Sequence, residues 1–105
     1  MKLAHNYFVY IVECSDKSYY TGVTNNIERR LWEHNHGPNK LSYTYSRRPV
    51  ILKYCERFQN IKYAIAWEKQ IKGWSRKKKE ALFIDDWEEI KRLARLKGPS
   101  STSSD

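Results

Sequence analysis

The chain has 105 residues, enough for one domain with a modest core, and 40% of them are hydrophobic, which excludes disorder throughout. No apolar run reaches membrane-spanning length, and Met1-Lys2-Leu3-Ala4-His5-Asn6 carries no apolar signal core, so the expected location is the cytoplasm with no membrane association. A formal net charge of +8 favours a polyanionic partner.

Tyr7-Phe8-Val9-Tyr10-Ile11-Val12 is an unbroken run of β-branched and aromatic residues. It predicts a central strand covered on both faces, with Phe8, Tyr10 and Val12 on one side and Tyr7, Val9 and Ile11 on the other. Ser15-Asp16-Lys17-Ser18 is a turn cluster, and Tyr19 to Val23 reads as a second strand, closing an antiparallel hairpin. Gly22, lacking Cβ, lets a ligand or a neighbouring backbone approach beside Tyr20. A helix follows, with Asn25 as its expected cap and Glu28 as a capping-box acid, stopping at Gly37-Pro38. Ile27 and Leu31 face the core, and Asn26, Arg30 and His34 form an adjacent polar row.

Lys40 to Arg48 is a loop of hydroxyls and charge, ended by Pro49, and Val50 to about Phe58 is the third strand. Cys14 and Cys55, both in strand-like text, read as buried reduced thiols rather than a zinc site. Asn60 caps a helix reaching about Trp74, Ser75 caps a short helix through Phe83, and Asp85 or Asp86 caps the last. That last helix carries a stripe of Trp87, Ile90, Leu93 and Ala94. From Gly98 the text GPSSTSSD has nothing to bury. The expectation is a single domain over 1–97 and a disordered tail over 98–105. The order β-β-α-β-α-α-α predicts an α+β fold, a small three-stranded antiparallel sheet flanked by helices.

Five side chains stand out for chemistry. At about 100° per residue, Glu68 falls within about 20° of Ile61 on its helix, inside the apolar arc of Ile61, Ala64, Ile65 and Ile71. A carboxylate there is either a structural ion pair or a cation site, and a single carboxylate suits Mg²⁺, which keeps most of its waters. Spacing puts Tyr10 and Tyr20 on neighbouring strands and the Arg30–His34 row on the next helix. Singly, each is an ordinary core tyrosine or surface cation. Arg47 and Arg48, with Lys72, Trp74, Arg76, Lys77 and Lys78, give phosphate-neutralising charge; Trp74, Tyr43 and Tyr45 can stack on unpaired bases.

With these residues in place, the sequence resembles the GIY-YIG endonuclease superfamily, and within it the small stand-alone bacterial proteins related to the nuclease domain of excinuclease ABC. Phe8-Val9-Tyr10 matches the first motif, Tyr20-Thr21-Gly22 the second, and ERRLWEHN follows at the expected distance. YTYSRRPVILKYCERF and AIAWEKQIKGWSRKKKEALFI match that subgroup, so the resemblance covers about Tyr7 to Phe83. It departs at three places. Phe8 replaces the first-motif glycine, Val23 stands where many members carry a nearby lysine, and Ile84-Asp85-Asp86-Trp87 lacks the asparagine found after the glutamate helix.

The resemblance implies metal-dependent hydrolysis of a DNA phosphodiester with Mg²⁺ or Mn²⁺. It makes Tyr10 and Tyr20 the motif tyrosines, Arg30 the helix arginine, His34 the helix histidine and Glu68 the metal-binding glutamate. Tyr10 is then the base, with Tyr20 or His34 assisting, and Arg30 stabilises phosphoryl charge. The expected role is DNA repair or processing of unusual DNA, branched or single-stranded. With no separate recognition region in the text, long specific sites are not expected. Two alternatives are a nucleic-acid-binding module of the same fold that does not cut, and a subunit that works with a protein partner through its aromatic surface.

Overall fold

In the computed structural model, which describes residues 5–97, strand β1 (Tyr7–Glu13) runs down the middle of one sheet. The tail expected over 98–105 lies outside the described residues. Strands β2 (Tyr19–Thr24) and β3 (Ile51–Phe58) flank β1 in the order β2-β1-β3, both antiparallel to it. The helices are α1 (Ile27–His36), α2 (Ile61–Lys72), α3 (Arg76–Phe83) and α4 (Trp87–Lys97), giving the expected order β-β-α-β-α-α-α. The described residues form two compact units, divided between Glu68 and Lys69.

In the first unit, the apolar run of β1 supplies both faces of the sheet: Val9, Tyr10, Ile11 and Val12 are all buried. On one face Tyr10, Val12, Cys14 and Val50 form a cluster, against which Tyr20, Ile27 and Leu31 pack. Ile27 and Leu31 are the apolar row of α1, as the helical period predicts. On the other face lie Val9 and Ile11, and there Trp67 Nε1 of α2 donates to Tyr54 Oη at 3.0 Å. Cys14 is buried as expected, but Cys55 is exposed, because β3 is an edge strand most of whose side chains reach solvent.

The hairpin turn is closed by Lys17 N–H donating to Cys14 O at 2.9 Å and by Asp16 Oδ1 accepting from Ser18 N–H at 3.0 Å. Lys17 takes the left-handed conformation that this turn needs (φ 72°). α1 begins one residue later than the sequence suggests. Thr24 Oγ1 accepts from Asn26 N–H at 3.2 Å and fixes Asn26 in an extended conformation. Asn26, not Asn25, therefore caps the helix, accepting from Arg29 N–H at 3.0 Å.

The other end of α1 stops because Pro38 bars Gly37 from helical ψ; Gly37 is extended at φ −66°, ψ 156°. The bare carbonyls there are taken by a distant side chain. Arg48 Nε donates to His34 O at 2.8 Å, and its Nη2 donates to Gly37 O. In the same last turn, Asn35 Oδ1 accepts from Val50 N–H at 2.8 Å, tying α1 to the entry of β3.

In the second unit, Ser75 caps α3 by accepting from Lys78 N–H at 3.2 Å. α3 ends in a Schellman motif: Asp86 N–H donates to Ala81 O at 2.9 Å and Asp85 N–H to Leu82 O at 3.1 Å, with Asp85 left-handed at φ 59°. Asp86 Oδ1 then accepts from Glu89 N–H at 3.1 Å, so of the two aspartates it is Asp86 that caps α4. Ile90 of the expected stripe is buried, whereas Ala94 is exposed. The rings of Trp74 and Trp87 meet edge-on at 6.4 Å.

Candidate active site

The site begins with a missing Cβ. Tyr10 of β1 pairs in register with Gly22 of β2, and the Tyr10 ring lies across that glycine. A Cβ at position 22 would stand 2.6 Å from Tyr10 Oη and 2.8 Å from its Cζ. What Gly22 admits is therefore the Tyr10 side chain, rather than a ligand or backbone beside Tyr20.

Laid down this way, the Tyr10 hydroxyl meets two residues of α1 that are four apart in sequence and so share a helix face. His34 Nε2 is 2.8 Å from Tyr10 Oη, and Arg30 Nε donates to the same oxygen at 3.3 Å. His34 Nδ1 lies 2.8 Å from Thr44 Oγ1. Tyr20 joins through its ring, 5.2 Å from the imidazole in an edge contact, and is itself stacked by Tyr43 at 5.9 Å. Four of the five side chains singled out from sequence, Tyr10, Tyr20, Arg30 and His34, are thus brought together by direct contacts. Beside them a cleft of about 180 Å³ opens between Arg30, Glu33 and His34 of α1 and Asn39, Ser42 and Thr44 of the following loop.

Burial governs the charge states. It pushes the Tyr10 phenol up to about 12, partly opposed by the hydrogen bond and charge of Arg30. It drives His34 down to about 4, helped by the neighbouring Arg30 charge. Burial also works against the Arg30 charge, but its bonds to Tyr10 and to Glu33 Oε1 (3.0 Å) outweigh that, and the guanidinium is held more firmly protonated than usual. At neutral pH the site is a neutral phenol and a neutral imidazole beside a fixed cation.

Glu68, the fifth residue, sits on α2, one turn after the fully buried Ala64, and is half-buried. It lies on a different helix from Arg30 and His34. Among the described residues no three His, Cys, Asp or Glu side chains are grouped to enclose a metal ion. A cation at Glu68 would therefore be held by hard carboxylate oxygen, completed by water and phosphate oxygens. That donor set suits Mg²⁺ or Mn²⁺, which retain waters, and not a structural zinc.

The basic residues divide. Arg47 pairs with Asp16 at 3.1 Å and lies 3.9 Å from the centre of the Tyr43 ring, while Arg48 braces α1 and lies 4.4 Å from that of Tyr45. Both tyrosines expected to meet bases thus already carry a guanidinium. In the second unit Lys78 sits 4.6 Å from the centre of the Trp74 ring, Arg76 pairs with Glu80 at 3.1 Å, and Lys72 and Lys77 are exposed on their helices.

The side chain that sequence reasoning passed over is Thr44. It is 1% exposed, in a loop with no periodicity to mark which residue points inward. The one local cue was its place between two tyrosines that flank it on the chain.

Known proteins share this sequence pattern and fold. Residues 6–81 match the family model described as the GIY-YIG catalytic domain. A UPF0213 protein of Syntrophus aciditrophicus (strain SB) is 51% identical over 72 residues, 69% of this chain and 83% of that protein. UPF0213 protein YazA of Bacillus subtilis (strain 168) is 38% identical over 96 residues, covering 91% and 95% of the two chains. The solution NMR structure of protein EF2693 from E. faecalis is 36% identical with a TM-score of 0.56, over 81% of this chain and 90% of that one.

Proposed function

This chain belongs to the GIY-YIG family, and from that premise we propose that it is a metal-dependent DNA endonuclease, acting on branched or single-stranded DNA in repair or processing. The observation that carries the reading is the Tyr10 hydroxyl held between Arg30 Nε at 3.3 Å and His34 Nε2 at 2.8 Å, two residues that line an open cleft.

That arrangement supports in-line hydrolysis. A water in the cleft gives its proton to the Tyr10 oxygen as Tyr10 passes its own proton to His34, so no free phenolate has to accumulate at neutral pH. The water oxygen bonds to phosphorus, and the opposite P–O bond breaks with its electron pair leaving on the departing oxygen. Arg30, permanently charged, offsets the negative charge that gathers on the phosphoryl oxygens. A divalent cation held by Glu68 would polarise the phosphate and stabilise the departing oxygen. Lys72, Arg76, Lys77 and Lys78 supply phosphate contacts and Trp74 a stacking surface, while Arg47 and Arg48 contribute positive potential near the loop.

A second reading, a nucleic-acid-binding module that does not cut, is favoured by one observation. The phenol near 12 and the imidazole near 4 are both poor bases at neutral pH, and Val23 supplies no extra cation. Nicked, flapped and single-stranded DNA, each incubated with Mg²⁺, Mn²⁺ or chelator, separates the two. Metal-dependent cleavage of any of them supports the nuclease; binding to all with cleavage of none supports the module.

A further inference from the structure

Arg30 can only donate hydrogen bonds, and its Nε is directed at the Tyr10 oxygen. That leaves the phenolic proton to find an acceptor, and the nearest is His34 Nε2 at 2.8 Å. Nε2 can accept only if it carries no proton, and a neutral imidazole must then carry its proton on Nδ1. Nδ1 faces Thr44 Oγ1 at 2.8 Å, in a place where both residues are almost sealed from water, at 3% and 1% exposure. A buried N–H without an acceptor is costly, so the group opposite Nδ1 decides which nitrogen keeps the proton.

We propose that Thr44 is a positioning residue: its hydroxyl accepts from His34 Nδ1–H, fixes the Nδ1–H tautomer, and so leaves Nε2 as the acceptor for the Tyr10 proton. This rests on the nuclease reading for its catalytic consequence but not for its structural one. During reaction the Tyr10 O–H bond breaks as the N–H bond at Nε2 forms. The resulting imidazolium keeps Nδ1–H on Thr44, and the Tyr10 oxygen takes the replacement proton from the attacking water. With Thr44 replaced by an apolar residue, the imidazole satisfies itself better as Nε2–H donating to Tyr10, and the relay is blocked. The Thr44 hydroxyl is buried against His34 Nδ1 at 2.8 Å, so its loss acts on turnover and not on binding.

The test is the two-bond ¹H–¹⁵N correlation spectrum of the histidines at neutral pH, for the wild type, Thr44→Val and Thr44→Ser, beside cleavage kinetics on flapped DNA. The expected wild-type pattern for His34 is Nδ1–H; Thr44→Val changes it to Nε2–H, and Thr44→Ser restores it. Turnover falls about tenfold or more in Thr44→Val with KM unchanged, and recovers in Thr44→Ser. A wild-type His34 in the Nε2–H form overturns the proposal even if Thr44→Val fails to fold, as does an unchanged pattern in Thr44→Val. Tautomer control without cleavage of any DNA upholds this inference and counts against the nuclease reading instead. Cleavage with the wrong wild-type tautomer does the reverse.

Discussion

The Tyr10 hydroxyl and His34 Nε2 stand 2.8 Å apart in the buried interior, and burial keeps both neutral at physiological pH. For His34 the consequence is a pH-dependent stability. Its pKa is lowered from 6.5 to about 4 by burial and then by Arg30, with Arg48 adding to the effect and Glu33 opposing it. Between those values the unfolded chain binds the proton and the folded one does not. The stabilisation is therefore complete above about pH 6.5 and lost progressively as pH falls toward 4, with no further loss below. Urea unfolding at a series of pH values should show wild type losing stability on acidification more steeply than His34→Gln; parallel curves would contradict the burial of a neutral imidazole.

Gly22→Ala should disturb the site without touching any polar group. The added methyl meets Tyr10 Oη at 2.6 Å, and the ring cannot retreat without leaving His34 and Arg30. A stability loss of about 1–3 kcal/mol is expected from overpacking, with a displaced Tyr10 ring visible in aromatic NOEs. Unchanged stability and unchanged Tyr10–His34 contacts would mean that the strand pair opens at no cost.

Thr21 offers the opposite case. Its hydroxyl is buried on β2 and has no hydrogen-bond partner. Thr21→Val keeps the shape and removes the orphaned group, so stability should rise by about 1 kcal/mol in chemical denaturation. A loss of stability would show that the hydroxyl is satisfied in solution.

Arg48 and Lys77 should part company, although both were read from sequence as phosphate-binding. Arg48 closes the carbonyl end of α1, so Arg48→Ala should cost about 1–3 kcal/mol of stability. Lys77 is exposed on α3, and Lys77→Ala should leave stability alone while lowering the salt dependence of DNA binding by about one unit of slope. Equal stability of the two variants would remove Arg48 from its bracing role.

Much of this architecture was legible in the sequence because it follows from local periodicity. The unbroken run at Tyr7–Val12 specifies a strand buried on both faces, and the four-residue step from Arg30 to His34 places both on one edge of α1. Long-range closures were not legible. Nothing in the chain near Arg48 announces that it will reach back to the carbonyls of α1. Nor does the loop text single out Thr44, since turns leave no repeating pattern to say which side chain points inward. The Gly22 partner was misread for a related reason: a glycine signals that something comes close, and only the register with Tyr10 says what. The cap of α1 moved from Asn25 to Asn26 because the Thr24 hydroxyl, and not cap propensity alone, chose between adjacent equals.

The central claim joins the Tyr10–Arg30–His34 cluster to a cation at Glu68 in one DNA-cleaving site. The most direct test is cleavage of a labelled flapped duplex in Mg²⁺ by wild type and Glu68→Gln, side by side with binding to the same DNA. The account predicts metal-dependent cleavage by wild type, a loss of about 100-fold or more in Glu68→Gln, and binding retained in both. Cleavage by Glu68→Gln at the wild-type rate, or cleavage by wild type that survives chelation, would contradict it.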